Sequence, residues 1–205
     1  MLPFYPDKTF SRTEVMRRPT PVPAVNGVYF WWFKEIPPGV PTEGCLTHEG
    51  YTLLYVGISP DKKGKPNSRA NLNTRIKTHY SGNAEGSTLR RTLGVLLAKE
   101  SHFPLRRVGS GTRTTFTHLG EQWLDLWMEE NAKVCWIPHE EPWVLEETLI
   151  ATVSLPLNIQ GNKHPFKTVL SAMRSRAMAE AKLMEIADET GFSRSKVAKA
   201  VQQVL

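Results

Sequence analysis

GVYFWWF, residues 27–33, is an unbroken run of apolar and aromatic side chains. A short run of this kind, rich in β-forming residues and bounded by turn formers, reads as a buried strand. Its partner is YTLLYVGI, residues 51–58. Between the two, Pro37, Pro38, Gly39, Pro41, Gly44 and Gly50 mark residues 35–50 as a long loop. The pair therefore reads as an antiparallel hairpin with an enlarged connection.

Upstream, residues 1–23 are rich in proline and polar residues. Alternating Pro19, Pro21 and Pro23 suit an extended lead-in rather than a helix. Downstream, a polar loop gives way to residues 71–80, where Leu72 and Ile76 fall at helical spacing. Arg75 and His79 lie one turn apart on one helical face. Ser87 can cap the next helix, whose apolar stripe is Leu89, Leu93, Leu96 and Leu97. Residues 119–132 form an amphipathic helix, 133–138 (KVCWIP) a third strand, and about 142–153 a helix with Pro142 in its first turn. SLPLNIQGN, residues 154–162, is an ordered turn, and the chain from about 164 is helical and basic. Near its end Ala187, Gly191, Ser193 and Val197 have the spacing of a helix-turn-helix. The expected fold is α+β: a small three-stranded antiparallel sheet flanked by helices, with a helical C-terminal extension. The expected units are residues 1–23, 24–162 and 163–205.

The chain has 205 residues, a formal net charge of +6 and a sequence pI near 9.4. At 40% hydrophobic and 22% charged residues it has a globular composition. The basic surplus suits a polyanionic partner, since surface Lys and Arg displace counterions from a phosphate backbone. Two well-separated cysteines, Cys45 and Cys135, make neither a disulfide framework nor a zinc pattern. No stretch approaches the roughly 18–20 apolar residues of a membrane span, and the N-terminus lacks a signal-like apolar segment. A cytoplasmic location without membrane contact is the expectation.

Some polar residues are poorly explained by a core. Tyr29 and Tyr55 each stand beside a strand glycine, in Gly27-Val28-Tyr29 and Tyr55-Val56-Gly57. Arg75 and His79 share a helix face. Glu146 and Glu147 interrupt an apolar helix, and Asn158 sits in a turn between Leu157 and Ile159. Singly, these are ordinary packing, surface or turn residues.

Taken in order, they resemble the GIY-YIG nuclease family. Gly27-Val28-Tyr29 matches the first motif and Tyr55-Val56-Gly57 the second. Arg75 and His79 match the arginine of the first helix and the His or Tyr one turn later. Glu146-Glu147-Thr148-Leu149-Ile150 matches Glu-x-x-Leu-Ile, and Pro156-Leu157-Asn158 matches Pro-x-Asn. The resemblance spans about residues 24–162. It departs from the pattern in the wide separation of the two tyrosine motifs, in Ile58 where several relatives have lysine, and in extra material at 99–131.

The resemblance implies a phosphodiesterase acting on DNA with one divalent cation, Mg²⁺ or Mn²⁺, held by Glu146 and waters. Glu147 lies about 100° round the helix and should point elsewhere. Tyr29 would be the general base or would position the attacking water, helped by Arg75, which would also brace the phosphate. His79 would take the tyrosine's proton or contact a phosphate. Tyr55 would orient the phosphate. Asn158 would hold in register the strand and helix that carry Tyr29 and Glu146. Lys62, Lys63 and Lys65, with Arg90 and Arg91, would line a phosphate track. Arg194, Lys196 and Lys199, with Arg174 and Arg176, would let the tail contact DNA. With one site per chain, cutting a duplex takes two nicks or a homodimer. The alternative is an inactive GIY-YIG scaffold that only binds nucleic acid.

Overall fold

A computed structural model describes residues 5–60 and 70–189. The elements in chain order are α1 (Arg12–Met16), β1 (Gly27–Phe33), β2 (Thr47–His48), β3 (Tyr51–Ser59), α2 (Leu72–Ser81), α3 (Thr88–Leu96), α4 (Ala98–Ser101), β4 (Arg106–Val108), β5 (Arg113–Thr115), α5 (Thr117–Asn131), β6 (Ala132–Pro138), α6 (Pro142–Thr152) and α7 (Phe166–Leu183).

All seven residues of β1 are buried, because the strand is central and covered on both faces. Tyr29, Trp31 and Phe33 pack with Leu72, Ile76, Tyr80, Leu89, Leu93, Met128 and Val134. Val28, Phe30 and Trp32 pack on the other face with Leu53, Val56, Ile58, Cys135, Leu149 and Leu155. Each such side chain contributes about 1.5–3 kcal/mol by leaving water, so the aromatic run anchors two cores at once.

The sheet order is β2-β3-β1-β6, with every pairing antiparallel. The register sets Tyr29 opposite Gly57 on one side and Trp136 on the other. The sheet thus has one strand more than the three expected. β2 is only two residues long and comes from the 35–50 loop, which a period-2 reading of sequence cannot resolve. That loop packs at the far end of α6, where Ser154 donates to the Glu43 carbonyl (3.1 Å). A separate hairpin pairs β4 with β5.

The N-terminal segment is not simply an extended lead-in. Ser11 and Glu14 form a reciprocal capping box that starts α1. Phe10 pairs with Val134 on the outer side of β6, and Val15 and Val22 are core residues. Beyond α7, residues 184–189 are not helical, and the Ala187 amide donates to the Arg107 carbonyl (2.8 Å). Ala187, the first position of the expected helix-turn-helix, therefore lies outside any helix. Gly191, Ser193, Arg194, Lys196, Val197 and Lys199 lie outside the described residues, as do Lys62, Lys63 and Lys65. Among the described residues no helix is long and apolar enough to cross a membrane.

Candidate active site

α2 starts at Asn71, whose side chain accepts from the Thr74 amide. Leu72 and Ile76 turn one side of the helix into the core, and the helical repeat then aims Arg75 and His79 at β1. The Tyr29 hydroxyl meets both: His79 Nε2 lies 2.9 Å away, and Arg75 Nε donates at 3.4 Å. Arg75 also donates to the Gly86 carbonyl (3.0 Å). The Tyr29 ring reaches this position by lying over Gly57, where a Cβ would stand 2.5 Å from the phenolic oxygen. The strand glycine is needed because a side chain, rather than a second backbone, crosses it.

Tyr55 is half-buried, its ring 6.4 Å from that of His79, and it hydrogen-bonds the Thr88 side chain at the start of α3. Glu146 comes from α6, which packs on β3 and β1. It is half-buried, whereas Glu147, a rotation of about 100° away, is exposed. The Glu146 carboxylate acts electrostatically on both Tyr29 and Tyr55. Arg75 acts on the same two phenols with the opposite sign. Tyr29, Tyr55, Arg75, His79 and Glu146 therefore converge from two strands and two helices.

Burial pushes the Tyr29 phenol well up from its ordinary value, and neighbouring Tyr55 adds to this; the Arg75 charge opposes the shift without cancelling it. Tyr55 is likewise raised, chiefly by burial. His79 is held well below the usual imidazole range by burial and then by Arg75 and Arg90, so it is neutral. Burial, with Glu147 adding, pushes Glu146 up to about 7. No hydrogen bond or ion pair to Glu146 is formed among the described residues, and a half-buried carboxylate without a counter-charge behaves in this way.

Several expectations need correction. Arg90 is fully buried and cannot line a phosphate track. It holds Glu121 through Nε (2.9 Å) and Nη2 (2.7 Å), and Asp125 through Nη1 (2.7 Å). It also donates to the His79 carbonyl (3.3 Å), which fixes the end of α2. Its neighbour Arg91 is half-buried and pairs with Glu85 at 3.4 Å. His79 has no exposed surface, so direct phosphate contact is ruled out. Asn158 is buried and uses both ends of its amide on one residue, accepting from Val56 N (2.9 Å) and donating to Val56 O (2.7 Å). It stands in for a neighbouring strand at the edge of β3, so it secures the strand carrying Tyr55 rather than the one carrying Tyr29. Tyr29 itself is only 1% exposed.

Two contributors escaped the sequence reading of the site. Ser87, read only as a helix cap, lies 2.7 Å from His79 Nδ1. Arg174, assigned to the tail, is half-buried on α7 and acts on Tyr55 beside Arg91. The packing of α7 on α3 places it there, and no local pattern announces that contact.

No curated protein and no solved structure shows a significant match to the chain. A family model described as the GIY-YIG catalytic domain matches residues 27–176. The match starts at the first strand glycine and runs past residue 162 into α7, so Arg174 falls within it. Covering well over half the chain, it makes the protein a member of the GIY-YIG nuclease family.

Proposed function

We propose that the chain is a divalent-metal-dependent endonuclease that hydrolyses phosphodiester bonds in DNA at the Tyr29–Glu146 cluster. One observation carries this reading. A carboxylate and a guanidinium from separate helices both act on the same two phenols, which come from separate strands, although no core requirement brings them together.

The residues fit a divalent cation. Glu146 is a half-buried carboxylate raised to about 7, and a bound cation would supply the counter-charge that no described residue provides. Among the described residues there is no group of three or more His, Cys, Asp and Glu side chains that could hold a metal. Glu146 would therefore be the main protein ligand, with waters and phosphate oxygens completing the shell, a mode that suits Mg²⁺. When bound, the ion would supply positive charge against the phosphate oxygens and the leaving group.

The chain's own groups divide the remaining work. Arg75 stays charged at any working pH and would brace the scissile phosphate; its loss would cost about 2–4 kcal/mol of transition-state stabilisation. Tyr55, the more accessible phenol, would orient that phosphate through its hydroxyl. Arg174 and Arg91 would extend the contact along the strand. Burial favours neutral Tyr29, so positioning the attacking water is the role its ground state supports best. Asn158 and Arg90 act at a distance, one by securing β3 and the other by fixing the end of α2.

One observation favours the rival reading, a scaffold that binds nucleic acid without turnover: the near-complete burial of Tyr29. Supercoiled plasmid incubated with the full chain in Mg²⁺, against an EDTA control, separates the two. Relaxed and linear products that appear only with Mg²⁺ support the nuclease. Intact plasmid in both arms, with DNA bound, supports the scaffold.

A further inference from the structure

α7 packs one face inward, with Leu170 and Ala181 fully buried and Ala177 half-buried between them. Arg174 stands four residues after Leu170 and three before Ala177, so the helical repeat sets it on this packed face. Arg176, two residues on, is exposed and pairs with Glu180 at 2.8 Å. The face lies against α3, where Val95 packs with Ala177. Arg91 is one turn before Val95, as Arg174 is one turn before Ala177, so the two arginines meet at one end of the contact.

An arginine on a packed face calls for a carboxylate, and Arg90 has two. Arg174 makes no hydrogen bond and no ion pair among the described residues. The groups acting on it are a second cation, Arg91, and the phenol of Tyr55. Arg91 donates to the Ala84 carbonyl (3.1 Å) and to Glu85 (3.4 Å), and its Nη1 has no acceptor among the described residues. Burial, and then Arg91, hold Arg174 below the ordinary guanidinium range, yet an arginine stays charged. The pair is short of negative charge, and a guanidinium fork matches phosphate oxygens. Tyr55 joins the pair to the cluster, because Arg75 and Arg174 both act on it.

We propose that Arg174, with Arg91 beside it, forms a second phosphate subsite that takes the phosphodiester next to the one braced by Arg75, with Tyr55 the shared neighbour of both. α7 is then part of the site rather than of a tail. The recognised unit becomes two consecutive phosphodiesters of one strand, held without base contacts. The anion subsite stands on the packing of α7, while its place beside the scissile phosphate rests on the nuclease reading given above.

The first test needs no turnover. Affinity of the full chain for a short DNA duplex is measured in EDTA across a range of salt by fluorescence anisotropy. Arg174→Met keeps the length of the side chain without its charge. It should weaken binding roughly tenfold at low salt and flatten the slope of log affinity against log salt by about 0.9, the share of one phosphate. Arg174→Lys should keep most of the slope. The Tm of Arg174→Met should equal or exceed that of the wild type, because no protein partner is lost. A slope unmoved in Arg174→Met, or a lower Tm with the slope unmoved, makes Arg174 a packing residue and overturns the proposal. Should Arg174→Met fail to fold, Arg174→Gln takes its place.

The second test places the subsite. End-labelled duplex carrying one neutral methylphosphonate is digested in Mg²⁺ and the cuts are mapped. The wild type should skip the substituted bond and one bond beside it. Arg174→Met should cut that adjacent bond as often as in unmodified DNA, so the gap narrows to one bond. A gap of the same width in both proteins overturns the adjacent placement. If Arg174→Met flattens the slope but the wild type cuts nothing, the anion subsite stands and the nuclease reading falls. Cutting by the wild type with the slope unmoved in Arg174→Met does the reverse.

Discussion

Replacing Glu146 by Gln in the metal-free protein should stabilise it, and only above a definite pH. The folded carboxyl holds its proton to about pH 7, against 4.5 ordinarily, so folding favours the protonated form. Below about 4.5 the group is protonated in both states and the substitution changes little. As pH rises through about 7 the folded protein must ionise a carboxyl that its surroundings disfavour, and wild-type stability falls relative to the variant. The interval corresponds to about 3 kcal/mol at roughly 1.4 kcal/mol per tenfold. Because Glu146 is partly exposed, solvent screening leaves about 1–2 kcal/mol. In a chain of this size that is about 2–8 °C in Tm. Thermal unfolding in EDTA, followed by circular dichroism at pH 4.5 and pH 8.5, reads the difference directly. The expected result is near-equality at the lower pH and a more stable Glu146→Gln at the higher. Adding Mg²⁺ at pH 8.5 should raise the wild-type Tm and leave the variant unmoved, since a ligand stabilises only what binds it. An advantage for the variant that is the same at both pH values would refute the account of Glu146 as a desolvated carboxylate awaiting a cation.

The adjacent arginines of α3 should part company. Arg90→Ala leaves Glu121 and Asp125 facing an empty space and should cost about 3–5 kcal/mol in urea unfolding, while a loss below about 1 kcal/mol contradicts the buried ion-pair assignment. Arg91→Ala should leave stability within about 0.5 kcal/mol but weaken DNA binding and flatten its dependence on salt; an unchanged salt slope would remove Arg91 from the phosphate path. Asn158→Ala strands the amide and carbonyl of Val56 without partners and should cost about 2–4 kcal/mol, with residual cleavage tracking the folded fraction. Cleavage lost from a variant as stable as wild type would give Asn158 a chemical role instead.

What could be read in advance follows from the range of the interactions involved. Strand β1 was legible because residues 27–33 form an unbroken apolar run and β3 because residues 53–58 form a shorter one, and Arg75 and His79 were legible because helical repeat alone puts them on one face. Glu146 was preferred to Glu147 because it heads the Glu-x-x-Leu-Ile pattern of the resemblance, and the rotation of a helix then turns Glu147 elsewhere. Arg90 was misread because Arg90 and Arg91 differ only in phase, and that phase is set by Glu121 and Asp125 on a helix packed against it. The acidic pair, one turn apart amid Leu124, Trp127 and Met128, was the available clue. Ser11 and Glu14 carried a capping-box signature for α1 that the following prolines overshadowed. The partner of Asn158 lies in a strand far away in sequence, and nothing local specifies that pairing. Ser87 showed its backbone role and concealed its side-chain one, because a helix cap and a bond to His79 demand the same residue type.

The most direct test is to measure plasmid cleavage and DNA affinity together for Glu146→Ala in Mg²⁺. Cleavage should vanish while binding stays close to wild type, as befits a residue that holds the ion rather than the nucleic acid. A variant that still cuts at the normal rate would show that the carboxylate facing Tyr29 and Tyr55 is not the metal-holding group of the reaction.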